Sequence, residues 1–266
     1  MLRKLLKYEI KSTARTLLPL YLALLVFAGI NRLITSISPN EWESPAVISM
    51  MLYIIILVGM LVMTLNVMIQ RFYKNLLSDE GYLMFTLPTK PWAHIASKLL
   101  VSMIWTLASG LFAVISIFII AMDEISFSEI VRGLSVIWED TYALIGASTY
   151  LLALEFILGM FVALASGILI IYASIAMGHL SNRHKVMASI GSFLLLNTIA
   201  QILTAIFGGI VFTRQFLDFA ITSQSSPADL GFVHLFMWFC IIFFGILAAG
   251  YYVITNVILS KRLNLE

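Results

Sequence analysis

The sequence predicts an all-α, polytopic membrane protein with six transmembrane helices, an N-terminal amphipathic elbow helix and both termini in the cytoplasm. Three observations lead there. The first is composition: 266 residues are 61% hydrophobic and only 11% charged, with a mean hydropathy of +1.00, whereas about a quarter of a soluble domain is charged. The second is a series of six apolar runs, each long enough to cross a hydrocarbon layer of about 30 Å as a helix of about 20 residues. The third is the placement of Lys and Arg. Thirteen of the sixteen fall in the N-terminal segment, two alternate loops and the C-terminal tail, while the other loops hold only Arg32, Arg132 and Arg214. Positive charge is retained on the cytoplasmic side, so this asymmetry fixes the orientation. Nine of the fourteen acidic residues fall in the outer loops.

The chain reads as a single transmembrane domain, residues 1–266. Residues 1–16 place Arg3, Lys7, Lys11 and Arg15 at steps of four, opposite Leu2, Leu5, Leu6 and Ile10. That is a basic amphipathic helix, expected to lie flat on an anionic leaflet. The spans follow at about 17–37, 47–70, 99–122, 150–178, 186–212 and 231–259. Pro19 falls in the first turn of span one, where proline is tolerated, and Asn31 and Arg32 lie near its far end. Between spans two and three, residues 71–98 read RFYKNLLSDEGYLMFTLPTKPWAHIASK, a soluble-looking segment between two apolar runs. Leu76, Leu77, Leu83 and Phe85 among Ser78, Asp79, Glu80 and Gly81 suit a short amphipathic surface helix. Pro88 stops it and Pro91 suits the first turn of a new helix. A bland interfacial loop anchored by its aromatic residues accounts for the same pattern.

Span three is followed by a polar, acidic stretch with Asp123, Glu124, Glu129, Arg132, Glu139 and Asp140. Residues 141–178 then carry one charge, Glu155, in 38 residues. As one helix these would extend about 57 Å, so either the first ten or so lie along the outer surface, with the span starting near Tyr150, or the helix projects beyond one face. Gly159, Ala163 and Gly167 form a small-residue stripe, suited to a tight contact with a neighbouring span or a second subunit, or to ordinary packing within the chain. HLSNRHK, residues 179–185, is a second short cytoplasmic loop, and residues 214–230 form a mostly polar connector before the last span.

Chemistry has little to stand on. Cys240 is the single cysteine, so no intrachain disulfide can form, and His94, His179, His184 and His234 make no metal-binding spacing. No metal is expected, and the net charge of +2 gives no reason to expect nucleic acid as a partner. No GxSxG turn or GxxxxGK[ST] phosphate loop occurs. The apolar runs present no histidine with an evident carboxylate partner, so no enzyme activity is expected. Glu155 is 23 residues from Gly178, about 35 Å along a helix. That places it at the outer rim, as an outer gate or substrate contact or as a water-facing carboxylate, rather than at the bilayer centre. Asn66, Asn197 and Gln201 are polar groups within apolar runs, suited to lining a path or to hydrogen bonds between helices.

The layout, together with RFYKNLLSDEGYLMFTLPTKPWAHIASKLL at residues 71–100, resembles the short membrane subunits of bacterial ATP-binding-cassette transporters, the ABC type-2 permeases. The DEGYLMFTLP portion looks like that of permeases of Firmicutes. The resemblance implies a half-transporter in the bacterial plasma membrane, pairing with an identical or related second permease subunit and with a separate cytoplasmic ATPase. That ATPase, not this chain, would bind ATP and Mg. The resemblance further implies that the loop after span two holds a coupling helix docking on the ATPase, with Ser78, Asp79, Glu80, Gly81, Tyr82 and Phe85 at the contact. His179, Asn182 and Arg183 would make a second, smaller one. The translocation path would draw on Asn66, Asn197, Gln201 and Glu155. Export of an amphipathic compound, a peptide, antimicrobial or lipid-like molecule, would follow. Unlike larger relatives, the chain lacks a sizeable extracellular domain, and 214–230 is short for paired re-entrant helices. A stand-alone channel or sensor scaffold without an ATPase is the alternative.

Overall fold

Long apolar runs in a medium that offers no hydrogen bonds must satisfy their backbone internally, and helices do so within one segment. A computed structural model of the chain describes residues 2–37, 43–77, 91–121, 127–181, 184–222 and 229–261. They form seven helices: α1 (Leu2–Ile37), α2 (Glu43–Leu77), α3 (Pro91–Ala121), α4 (Phe127–Ile145), α5 (Ser148–Gly178), α6 (Lys185–Thr222) and α7 (Asp229–Lys261). All but α4 contain a stretch long and apolar enough to cross a membrane, giving six candidate spans. The chain is therefore an all-helical, multi-pass membrane protein.

Several helices outrun the apolar segments that predict them. Residues 2–16, expected as a separate surface helix, continue without interruption through Pro19 into the first span, so α1 is 36 residues long, about 54 Å. Proline inside a helix removes one backbone donor and costs roughly 3 kcal/mol. Here it is flanked by a face that packs tightly, with Leu17 before it and Tyr21, Leu24 and Ala28 after it at helical spacing and essentially without exposure. The loop expected at 71–98 also contracts. Arg71–Leu77 extends α2 and Pro91–Lys98 opens α3, leaving 78–90 between them. Pro91 is the first residue of α3, as its fixed φ favours. At the far end, α6 continues past residue 212 to Thr222, shortening the expected polar connector.

Of the acidic stretch after α3, the part from Phe127 onward is helical as well, while Asp123 and Glu124 lie outside the described residues. In α4, Phe127, Ile130, Val131, Leu134, Ile137, Trp138 and Tyr142 recur at helical spacing and are all exposed, opposite Glu129, Arg132, Glu139 and Asp140. The overlong apolar segment is broken at Gly146, whose φ of 59° is open to glycine and strained for other residues. Its N–H donates to the Tyr142 carbonyl at 2.7 Å, closing the end of α4. The span therefore starts at Ser148, two residues before the expected Tyr150.

Two compact units divide the chain. The first comprises α1, α2 through Asn75, α3 and α4 through Leu134; the second holds Leu76 and Leu77 and α4 from Ser135 together with α5, α6 and α7. The core of the first is Leu17, Tyr21, Leu24, Ala28, Tyr53, Met60, Val101 and Trp105, with Tyr21 stacked on Phe112 at a centroid separation of 4.5 Å. In the second, α5 packs against both α6 and α7 and buries Ile168, Leu169, Tyr172, Ala173, Ile175 and Ala176 along its C-terminal half. Of the small-residue stripe on α5, Gly159 faces Ile241 of α7, where an added Cβ would sit 3.5 Å from Ile241 Cγ1, whereas Gly167 has open space around it. Ordinary packing within the chain accounts for Gly159.

Gly178 is the tightest point. A Cβ there would collide with the Ser189 hydroxyl of α6 and lie 2.6 Å from the Ser189 backbone nitrogen and 2.7 Å from its Cα. Trimming the Ser189 side chain cannot relieve a clash with backbone. Gly178→Ala should therefore destabilise the chain by about 1–3 kcal/mol with no rescue by Ser189→Ala, while Gly167→Ala should be close to neutral. Thermal unfolding of the purified variants in detergent measures this; a wild-type melting temperature for Gly178→Ala would refute the close α5–α6 approach.

Candidate functional site

Polar side chains in these spans cluster in two places, one in each unit. In the first unit they form a ladder between helices. Trp105 Nε1 donates to Thr13 Oγ1 at 2.7 Å, and the Tyr21 hydroxyl shares a hydrogen bond with Ser109 Oγ at 2.8 Å. Ser109 also meets Thr64 Oγ1 at 2.9 Å, so one serine of α3 joins α1 and α2. Farther along, Tyr53 and Ser116 share a bond of 2.9 Å, and Asn31 Nδ2 donates to Ser49 Oγ at 2.8 Å. Trp105, Ser109 and Ser116 lie on one face of α3, four and seven residues apart, which is why they line up.

The ladder ends in charge. Glu9 of α1 forms an ion pair with Lys98 of α3, and Arg71 Nη1 of α2 lies 3.8 Å from Glu9 Oε2. Arg71 Nη2 donates to Ser12 Oγ at 2.6 Å. The Lys98 side chain is only 4% exposed and Glu9 11%, so the pair is nearly out of water and depends on its geometry. His94, Ser97, Ser12, Tyr8 and Leu5 complete the walls of a cavity of about 230 Å³ around these charges. None of these residues is evident as a site in the sequence. The available signal was Glu9, the one acidic residue in the first forty, set among lysines that read as membrane flank.

In the second unit, Glu155 of α5 is fully buried and its Oε2 lies 2.7 Å from His234 Nδ1 of α7. This corrects two expectations. Glu155 is not a water-facing carboxylate, and the apolar runs do hold a histidine with a carboxylate partner, 79 residues away in the chain. Glu155 Oε1, His234 Nε2 and Thr149 Oγ1 are buried with no hydrogen-bond partner among the described residues. A carboxylate and an imidazole in this arrangement can present acceptor and donor atoms to a small polar ligand. Among the described residues no group of three His, Cys, Asp or Glu is placed to hold a metal. No known protein family, curated protein or solved structure matches the chain.

The other expected site residues are placed as follows. Asn66 of α2 and Gln201 of α6 are exposed and Asn197 of α6 is half-buried. None of the three contributes a hydrogen bond to the contacts between helices described above. Ser78, Asp79, Glu80, Gly81, Tyr82 and Phe85 lie outside the described residues, as do Asn182 and Arg183. His179 caps the C-terminal end of α5, its N–H donating to the Ile175 carbonyl at 3.2 Å.

Two measurements test the second unit. Removing His234 leaves a buried carboxyl with no partner, so His234→Leu should cost about 2 kcal/mol, and the double variant Glu155→Leu/His234→Leu should recover part of it. Thermal unfolding of the three proteins decides the point, and a double variant less stable than the single would contradict the pairing. At the end of α5, burial, and secondarily the Lys185 charge, hold the His179 imidazole below the usual histidine range. The unfolded chain therefore takes up this proton first as pH falls below about 6.5, and the folded state loses stability until His179 is itself protonated, after which the loss levels off. His179→Gln should flatten that part of the stability–pH curve; identical slopes for both proteins below neutrality would contradict it.

Proposed function

We propose that the chain is the membrane-spanning permease subunit of an ATP-binding-cassette transporter of the bacterial plasma membrane. It would form the path for export of an amphipathic compound, a peptide, antimicrobial or lipid-like molecule, driven by a separate cytoplasmic ATPase and acting with a second permease subunit. The observation that supports this reading best is how the segment between α2 and α3 is anchored. Arg71 lies seven residues before residue 78 and Lys98 eight after residue 90, and both converge on Glu9 of α1. A force applied at 78–90 would therefore reach three spans together.

On this reading the ATPase docks on residues Ser78–Phe85, with Asp79, Glu80, Gly81 and Tyr82 at the centre of the contact, and closure of the ATPase pair biases a two-state arrangement of the spans. His179, Asn182 and Arg183 belong to the smaller contact. Asn66 in the first unit, and Asn197, Gln201 and Glu155 in the second, are the candidates for facing transported solute. The charge asymmetry of the loops supports a cytoplasmic side that holds the basic N-terminus, 78–90 and 179–185.

The deciding experiment is a pull-down of the detergent-solubilised chain with the ATPase encoded beside it, comparing wild type with Glu80→Arg and Gly81→Pro. Wild type should retain the ATPase and both variants should lose most of it. If wild type retains none, a stand-alone channel or sensor scaffold becomes the better description.

A further inference from the structure

The transport reading uses Glu9, Arg71 and Lys98 only as an anchor and assigns no ligand to the cavity that they bound with Ser12, His94 and Ser97, and among the described residues its charges do not cancel. Two cations face one carboxylate. Glu9 is committed to Lys98, which it contacts directly, whereas Arg71 stands 3.8 Å away with a third of its side chain exposed. Among the described residues the less compensated charge is therefore at the Arg71 guanidinium. That group carries five N–H donors in a planar fork suited to phosphate oxygens, and among the described residues one of them is taken by a short bond, to Ser12. The cavity, at about 230 Å³, is far larger than the ~10–15 Å³ that admits a single water. His94, Ser97 and Lys98 of α3 also line it.

We propose that this cavity binds the phosphate of an anionic phospholipid headgroup. The walls argue for a lipid. Leu5 and Tyr8 form an apolar side beside the cationic one, and Tyr8 is 69% exposed, so the pocket is amphipathic as a headgroup with attached acyl chains requires. Lys7, Lys11 and Arg15 continue the positive charge along α1. A basic pocket between spans on the side richest in Lys and Arg is where anionic headgroups gather. Bound there, a phosphate would displace water from Arg71 and join α1, α2 and α3 at the end that leads into residues 78–90.

The test uses the full-length protein, delipidated in a neutral detergent, and follows its melting temperature as phosphatidylglycerol, phosphatidylcholine or inorganic phosphate is titrated in. Native mass spectrometry counts the lipids retained. Phosphatidylglycerol should stabilise the wild type and leave one retained adduct, with phosphatidylcholine and inorganic phosphate giving much smaller effects. Arg71→Gln should weaken phosphatidylglycerol binding by about tenfold, whereas Lys11→Gln, which alters an exposed charge outside the cavity, should leave it near wild type. Equal stabilisation of the wild type by phosphatidylcholine would overturn the proposal without recourse to any variant. Inorganic phosphate matching phosphatidylglycerol would assign the cavity to a free anion instead, and equal losses in both variants would reduce the effect to general surface charge.

Discussion

Within a bilayer, one apolar helix gains little by leaving lipid for another, so association rests on close packing and on polar groups that find each other. The hydrogen bonds centred on Ser109 meet that constraint in the first unit. Ser109 is buried, back-bonds to the Trp105 carbonyl at 2.9 Å and still bridges Tyr21 and Thr64. Were these hydroxyls unpaired, each would stand as a buried polar group in a medium with no water to satisfy it. Their pairing sets which faces of α1, α2 and α3 meet. The aromatic packing of Tyr21 on Phe112 fills the space that this arrangement leaves.

The same logic extends to the charged end. A buried ion pair adds little net stability compared with an apolar contact of the same shape, but losing one partner is costly. Glu9, Lys98 and Arg71 therefore act less as adhesive than as a registration device, since sliding α1 past α3 by one turn would separate Glu9 from Lys98. This explains how a helix with Pro19 in its interior stays continuous. Glu9, Thr13 and Leu17 fix the segment before the proline, and Tyr21, Leu24 and Ala28 fix the segment after it.

The spans were legible because hydropathy over about twenty residues is a sum, insensitive to any one side chain, and Pro91 declared the start of α3 because its ring fits only a few helix positions. What could not be read depended on pairing across distance. Glu155 and His234 stand in separate apolar runs, and nothing in either run says which face of α5 will meet which face of α7. Glu9 was hidden for the opposite reason, because its neighbours Lys7 and Lys11 form a pattern complete without it. The helix α4 was missed because its charges dominate the composition of the segment, although its apolar residues recur with the helical period. Gly146 becomes informative only once two helices are known to flank it, since glycine in an apolar run has many uses.

The two polar centres also differ in how completely they are satisfied, and that difference bears on what each is for. In the ladder of the first unit, the side-chain hydroxyls of Tyr21, Tyr53, Thr64, Ser109 and Ser116 all have partners. A framework of this kind favours one arrangement and moves as a piece. At the second centre the carboxylate and the imidazole satisfy one atom each and leave Glu155 Oε1 and His234 Nε2 buried without a partner among the described residues. Each such atom costs about 1–3 kcal/mol, a penalty that a leucine pair of similar bulk would avoid. Stability alone therefore does not account for Glu155 and His234. A water or polar solute reaching them would lower the energy of the site, so occupancy can alter how α5 and α7 hold together in a way that nothing in the satisfied ladder allows.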